Sequence, residues 1–232
     1  YIEKGEYMII YEAQISEFLN DVANEVIVDR LYNVYQEKIG RTSRSEIRSW
    51  DHSLQRMSNV LRDREIPKDA KAAIEFKIPN TGKRVDFIIA GNDGAADHAV
   101  IVELKQWESV EKNDRLDAVV VETYLGGAKR PTTHPAYQAW SYAALIEDFN
   151  EDVRNIPIHL QPCAYLHNYF IQDNDPLLDE HYAEHIEKAP VFRKGEMEQL
   201  REFIKKYIKY GDKNDIIAKI ENGRIKPSKS LQ

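Results

Sequence analysis

The chain has 232 residues, of which 42% are hydrophobic and 31% are charged, and its formal net charge is −7 at pH 7. This length is enough for one sizeable core, and the composition is typical of a globular protein. The acidic charge argues against a general nucleic-acid coat protein, although a local basic groove is compatible with it.

Cysteine content and hydropathy exclude several further classes. The single cysteine, Cys163, cannot build a disulfide framework, a four-cysteine zinc site or a cysteine-ligated iron–sulfur cluster. It favours a reducing, cytoplasmic location. No apolar run is long enough to span a bilayer and no secretory signal is visible, so we expect no membrane association. The chain begins at Tyr1 and ends in a polar, basic stretch, which indicates one domain of a longer protein.

The first third of the chain is predicted to be helical. Apolar residues recur at helical spacing from Ser16, an expected N-cap, to Gly40, where the segment is expected to end. A second helix is predicted to begin after Ser43 or Ser45. We therefore expect residues 1–67 to form a helical segment that packs on the core.

Strands are predicted next, because the hydrophobic pattern changes to a period of two residues. Residues 72–90 are predicted to form a β-hairpin around the turn sequence PNTG, and HAVIVELK is predicted to form the third strand. If the hairpin closes on four residues, Glu75 lies opposite Asp86 on the same face of the sheet.

The remaining elements complete the fold class. AVVVETYLGG predicts a strand, HPAYQAWSYAALIEDF a helix with Pro135 in its first turn, and PIHLQPCAYL a further strand. Residues 68–170 are predicted to form the core, with an insertion at 107–134, and residues 171–232 a helical extension and linker. The predicted fold is mixed α/β, with a central mixed β-sheet flanked by helices and extra helices at both ends.

Charged residues interrupt two of the predicted core strands. Asp86 lies mid-strand between apolar residues, and alternation places Glu103 and Lys105 on one face of the next strand, with Leu104 on the other. Burial of unpaired charge is costly, so these groups need a shared partner. Asp86 and Glu103 supply the carboxylates that Mg²⁺ usually takes, and the backbone carbonyl of Leu104 supplies a third oxygen.

Lys105 would complete a set of groups suited to phosphodiester hydrolysis. A cation beside the attacking water lowers the pKa of that water and offsets charge in a phosphoryl transition state. The residues therefore predict a phosphodiesterase that depends on Mg²⁺ or Mn²⁺.

The order of Asp86 and then Glu103-x-Lys105 on neighbouring strands resembles the PD-(D/E)XK nuclease superfamily. In the following helix, YQAWSY places Gln138 and Tyr142 on one face, similar to the Q-x-x-x-Y signature of the branch that includes recombination exonucleases. The resemblance implies a restriction-endonuclease-like core and a metal-dependent deoxyribonuclease. It also implies that Gln138 and Tyr142 face the substrate and the active site.

The superfamily often takes one more acid from an early helix, and Glu46 and Glu75 are both candidates. The stretches GKRVDFIIAG, VIVELKQW, HPAYQAWSYAALIEDFN and IENGRIKPSKSL resemble the N-terminal nuclease-like domain of bacterial nuclease–helicase fusion proteins, some of which are linked to phage defence. That resemblance implies DNA, including single-stranded DNA, and a covalently linked P-loop helicase domain as partners. The long insertion and the lack of the four-cysteine cluster of some relatives depart from the pattern.

Two alternative interpretations stay open. A structural Asp86–Lys105 salt bridge would make the domain a catalytically inactive module that binds nucleic acid or docks the helicase. His181 and His185 have the spacing of a zinc pair, but a third ligand is not evident, so a solvated helix face is predicted instead. For His134, which precedes the predicted Pro135 helix, a capping or loop role is predicted rather than phosphate contact.

Overall fold

A computed structural model describes residues 9–78, 81–113 and 119–223. In chain order, its strands are β1 Tyr11–Gln14, β2 Lys71–Lys77, β3 Arg84–Asn92, β4 Asp97–Lys105, β5 Glu111–Lys112, β6 Val120–Leu125, β7 Ala128–Thr133, β8 Ile158–Phe170 and β9 Val191–Lys194. Its α-helices are α1 Ile15–Ala23, α2 Ile27–Lys38, α3 Arg44–Leu61, α4 Pro135–Phe149, α5 Glu151–Asn155, α6 Ala183–Lys188, α7 Met197–Tyr207 and α8 Ile216–Asn222. Two 3₁₀ turns, Pro176–Leu178 and Glu180–Tyr182, precede α6.

Within these ranges, six strands form a central mixed sheet in the order β1-β2-β3-β4-β8-β9. Strands β1 to β4 are antiparallel, whereas β8 runs parallel to β4 and β9 parallel to β8. Helices α1, α2, α3 and α7 contribute to the core on one face, and α4, α5 and α8 to the core on the other. This arrangement confirms the predicted mixed α/β fold, in which a central mixed sheet is flanked by helices.

The central strands β3 and β4 are almost continuously apolar because both of their faces are covered. Along β4, Val100 and Val102 face the α3 side, whereas Ala99 and Ile101 face the α4 side. The alternation fixes the side on which each later residue of the strand emerges.

The N-terminal segment differs from the prediction. Strand β1 pairs with β2 at the sheet edge, and the chain turns at Glu25, whose φ is 59°, between α1 and α2. The prediction that Ser16 caps the first helix was wrong, because α1 already begins at Ile15. Backbone bonds from Ile15 N to Ala70 O (2.8 Å) and from Ser16 N to Lys68 O (3.0 Å) satisfy the N–H groups that a cap would take.

Other predicted elements are present at their expected places. Helix α3 begins after Ser43, whose Oγ accepts a hydrogen bond from Glu46 N (3.1 Å). Helix α4 begins at Pro135, and β8 occupies the predicted further strand. Strand β9 lies in the region 171–232, so part of the predicted helical extension belongs to the sheet. Residues 224–232, the end of the predicted extension and linker, lie outside the described residues.

The insertion 107–134 forms a small second sheet in the order β5-β6-β7. Its main hairpin, β6–β7, turns through Gly126 and Gly127, whose φ angles are 60° and 81°. A tight turn of this kind requires positive φ at both central residues, which glycine adopts without strain. Among the described helices, none is both long enough and apolar enough to cross a membrane.

Candidate active site

Strands β3 and β4 part at Asp86. Their last paired residues at this end are Phe87 and Val102, so the ladder stops just before Asp86 and Glu103. Asp86 Oδ2 instead accepts a hydrogen bond from Leu104 N at 2.8 Å. The carboxylate takes the N–H of the neighbouring strand, and the two strands open into a gap at this end of the sheet.

Glu75 distorts β2 directly opposite Asp86. Its φ is 56°, in the left-handed region that costs free energy for any residue with a Cβ atom. The hairpin register is the predicted one, because Ile74 pairs with Phe87 and the ladder resumes at Phe76. Glu75 therefore lies across from Asp86, as the four-residue turn predicted.

Glu103 is almost fully enclosed, with 2% of its surface exposed. Its Oε1 accepts hydrogen bonds from Lys105 Nζ and from Gln138 Nε2, both at 2.6 Å. Among the described residues, its buried Oε2 has no hydrogen-bond partner. A buried oxygen in that state is costly for an ionised carboxylate, so the ionised form of Glu103 needs a further group beside Oε2.

The alternation predicted for β4 is confirmed. Glu103 and Lys105 emerge together and make an ion pair, whereas Leu104 packs against the core on the α3 side. The pair is therefore built by strand geometry alone.

Helix α4 brings Gln138 and Tyr142 to the same gap. Gln138 Nε2 donates one hydrogen bond to Glu103 Oε1 and a second to Tyr142 Oη, at 2.7 Å. Burial raises the pKa of Tyr142, so the phenol keeps its proton. Because the phenol oxygen accepts from Gln138, its own proton is left for another acceptor.

Three carboxyl groups share this region with the cations Arg84 and Lys105. Burial, together with repulsion by Asp86, raises the pKa of Glu103 to about 8 and that of Glu75 to about 7. Burial also raises the pKa of Asp86. For Lys105, burial lowers the pKa, but attraction by Glu103 and Asp86 outweighs it and the pKa is raised. If all three carboxyl groups are ionised they outnumber the two cations, and a bound cation would favour that ionised state.

The two candidates for an additional acid occupy different positions. Glu75 is 8% exposed, and its oxygens accept from Trp50 Nε1 (3.0 Å) and Arg84 Nη1 (3.2 Å). Glu46 is more exposed; its Oε2 accepts from Thr42 Oγ1 (2.6 Å) and its Oε1 lies 3.7 Å from Arg84 Nη1. Glu75 thus adjoins Asp86 across the hairpin, whereas Glu46 approaches from α3.

Both acids line one cavity with Asp86. The cavity has a volume of about 200 Å³, and its walls come from α3, β2, β3 and β4. Its lining residues are Glu46, Ser49, Trp50, Ser53, Leu54, Ile74, Glu75, Asp86 and Leu104. The cavity therefore joins all three predicted carboxylates on this side of the sheet.

A polar network beside Lys105 was not predicted. Gln106 Nε2 donates to Ser49 O (2.7 Å), to Ser49 Oγ (2.8 Å) and to Ser53 Oγ (3.2 Å). Ser53 Oγ in turn lies 3.2 Å from His167 Nε2. The network ties α3 to the ends of β4 and β8. Its one signal in the sequence is the pair of serines four residues apart on a helix.

His134 and His185 are both buried in the fold. His134 is the N-cap of α4, as predicted: its Nδ1 accepts from Ala136 N (3.1 Å). The prediction of a solvated face at His185 was wrong, since it is 8% exposed and its ring stacks on Trp140 at 6.2 Å between centroids. The aromatic residues of α4 cover it, and the 3.6-residue period of α6 alone could not show that. His181 lies in the 3₁₀ turn before α6.

No protein-family model, curated protein or solved structure matches the chain.

The donor atoms at the gap suit a hard cation. Across the described residues, no three or more His, Cys, Asp or Glu side chains are grouped so as to hold a metal ion. Asp86 and Glu103 nevertheless supply two carboxylates, and Mg²⁺ commonly takes one or two, with water and phosphate completing its shell. Glu103 Oε2, without a hydrogen-bond partner in the described part of the chain, and the all-oxygen donor set fit Mg²⁺ or Mn²⁺ better than zinc.

Proposed function

We propose that the protein is a metal-dependent nuclease domain that hydrolyses DNA phosphodiester bonds. Asp86, Glu103 and the carbonyl of Leu104 would hold Mg²⁺ or Mn²⁺. The observation that carries the proposal is the buried Oε2 of Glu103, which has no hydrogen-bond partner among the described residues and lies where β3 and β4 separate. When bound, the cation would polarise the phosphodiester and favour attack by water.

Lys105 acts in this mechanism as a fixed positive charge and hydrogen-bond donor rather than as a base. Its raised pKa keeps the ammonium protonated at neutral pH, 2.6 Å from Glu103 Oε1. A fixed ammonium offsets the negative charge that develops on the phosphoryl oxygens and donates a hydrogen bond to the attacking water. Water forms the new P–O bond and loses one proton to solvent, the ester P–O bond breaks, and the leaving alkoxide takes up a proton from solvent.

Gln138 and Tyr142 position the other groups. The carboxamide of Gln138 holds Glu103 Oε1 and the phenol oxygen of Tyr142 at the same time. The phenol proton then points away from that bond and is available to a phosphate oxygen. Glu75 or Glu46 supplies the further acid, on the cavity wall that Asp86 shares.

The choice of DNA follows from the resemblance to PD-(D/E)XK nucleases. The covalently linked helicase domain, the role in phage defence and the cytoplasmic location are predictions of the same origin. A catalytically inactive docking module is the competing outcome of the experiment below.

Cleavage assays test the proposal with a matched pair of lysine variants. Single-stranded and double-stranded DNA and RNA are incubated with Mg²⁺, Mn²⁺ or EDTA. We expect DNA cleavage only with metal, and a loss of about 100-fold or more in Lys105→Ala, as for removal of a single transition-state donor. Lys71→Ala is the control, because Lys71 is also a strand lysine paired with a carboxylate, 3.0 Å from Glu12 Oε1.

Metal binding gives an independent measurement. Titration calorimetry with Mn²⁺ should show binding to the wild type and to Glu12→Gln, and its loss in Glu103→Gln and Asp86→Asn. Cleavage in EDTA, or cleavage that survives in both Lys105→Ala and Asp86→Ala, would falsify the assignment. DNA binding with neither cleavage nor metal binding would instead support the docking module.

A further inference from the structure

A second cleft adjoins Lys105 on the side of the insertion. It has a volume of about 400 Å³ and lies between the tip of β6 and the segment that directly follows Lys105. Thr123 Oγ1 donates to Ser109 O at 2.6 Å, which ties β6 to that segment. The lining residues are Gln106, Trp107, Glu108, Ser109, Tyr124 and Leu125.

The aromatic residues of this cleft differ in exposure. Trp107 is 9% exposed, whereas Tyr124 is 61% exposed and its neighbour Leu125 is 37% exposed. Both exposed residues lie beside the Gly126–Gly127 turn, at the end of the β6–β7 hairpin. A tyrosine and a leucine at the mouth of a cleft offer apolar surface to a ligand.

Lys105 connects the cleft to the proposed active site. Its Nζ lies 2.6 Å from Glu103 Oε1 and 5.3 Å from the centroid of the Trp107 ring. A phosphate held at Lys105 would therefore place the adjoining nucleoside at the entrance of the cleft.

We propose that this cleft is a base-binding subsite, in which Tyr124 stacks on an unpaired nucleobase next to the phosphate at Lys105. The inference rests on the proposed nuclease function and narrows its substrate to a single-stranded segment. Aromatic side chains bind single strands in this way because every base presents a π-face, whereas a base within a duplex is already stacked on both sides.

The negative charge in the lining of the cleft favours binding of a base over binding of a phosphate. Glu108 is the charged residue of the lining, and its carboxylate repels phosphate groups. The same carboxylate accepts a hydrogen bond from an exocyclic amino group, as acidic residues do with cytosine in protein–DNA contacts. The subsite is therefore expected to favour cytosine over thymine, which has no amino group.

Binding measurements separate this subsite from catalysis. Fluorescence anisotropy in Ca²⁺ compares labelled oligodeoxycytidylate, oligothymidylate and a duplex. We expect Tyr124→Ala to weaken binding of oligodeoxycytidylate by about 5-fold or more, the loss typical of one stacked base, and Tyr124→Phe to retain it. Glu108→Gln should reduce the preference for oligodeoxycytidylate over oligothymidylate.

The matched control is Tyr210→Ala. Tyr210 is 55% exposed and lies at the opposite end of the sheet, where its carbonyl accepts from Asn92 N at 3.1 Å. Equal effects of Tyr124→Ala and Tyr210→Ala, equal loss on the duplex, or no binding by the wild type would overturn the subsite. A selective Tyr124→Ala defect without cleavage in Mg²⁺ or Mn²⁺ would support the subsite and overturn the proposed hydrolysis. Cleavage in Mg²⁺ or Mn²⁺, together with unchanged oligodeoxycytidylate binding in Tyr124→Ala, would support the proposed hydrolysis and overturn the subsite.

Discussion

At the scale of one residue, Glu75 has an unfavourable backbone conformation at the candidate site. A left-handed conformation costs an L-residue about 1–2 kcal/mol, and the chain adopts it here with φ at 56°. Hydrogen bonds from Trp50 and Arg84 hold the carboxylate in place. Strained residues of this kind concentrate at functional sites, which agrees with the position of Glu75 opposite Asp86.

The strain at Glu75 can be measured with two substitutions. Glu75→Ala and Glu75→Gly both remove the carboxylate and its bonds, but glycine also removes the steric cost of positive φ. We expect Glu75→Gly to have a free energy of unfolding about 1 kcal/mol higher than Glu75→Ala in urea denaturation.

The control for that comparison is Glu12, in the extended strand β1. There glycine should be less stable than alanine, since it loses more conformational freedom on folding. The same order of stability at both positions would show that the conformation of Glu75 is not strained.

At the scale of elements, local periodicity predicted the long segments and missed the short ones. The hairpin β2–β3, strand β4 and helices α3 and α4 carry their own period of two or 3.6 residues. Strands β1 and β9 have four residues each, and they exist because they pair with distant partners. Strand β7, with the sequence AKRPTT, is mostly exposed and carries no apolar alternation.

The candidate site likewise combines contacts that are local in the sequence with contacts between distant residues. Strand alternation is local, so the sequence predicts that Glu103 and Lys105 share a face. The hydrogen bond from Gln106 to Ser53 joins residues 53 positions apart, and the contact from Ser53 to His167 joins residues 114 apart. Only the folded sheet brings these groups together. Burial, which raises the pKa of Glu103, is likewise a property of the assembled cores on both faces.

Gln106 is expected to hold α3 against the end of β4. Its side-chain amide makes three contacts to α3, so Gln106→Ala leaves acceptors on Ser49 and Ser53 without this donor. We expect the free energy of unfolding to fall by about 1 kcal/mol, with faster hydrogen exchange in α3. Gln55→Ala, an exposed position of the same helix, should change it by less than about 0.5 kcal/mol. Equal effects of the two substitutions would show that the hydrogen bonds from Gln106 to α3 do not contribute to stability.

At the scale of the whole molecule, buried histidines make stability depend on pH. Burial lowers the pKa of both His134 and His167 to about 4. His134 must stay neutral, because its Nδ1 accepts from Ala136 N while its Nε2 donates to Leu177 O at 2.9 Å. In the unfolded chain a histidine takes up its proton near pH 6.5. At these two positions the unfolded state therefore binds more protons between pH 6.5 and 4, so their contribution to stability falls as the pH falls. Glu75 and Glu103, whose pKa values are raised, contribute with the opposite sign.

His134→Asn isolates this contribution. Asparagine is a good N-cap and its Oδ1 can accept from Ala136 N, but it does not titrate. A lowered pKa of this size corresponds to about 3 kcal/mol at most, lost between pH 6.5 and 4. The difference in the free energy of unfolding between the wild type and His134→Asn, measured in urea from pH 7.5 to pH 4.5, should therefore shift against the wild type as the pH falls. Ser43→Asn, a change of the α3 N-cap that alters no titratable group, should leave the dependence of the wild type unchanged. A slope for His134→Asn equal to that of the wild type would mean that the folded state accommodates the protonated cap, and that the pH dependence arises elsewhere in the chain.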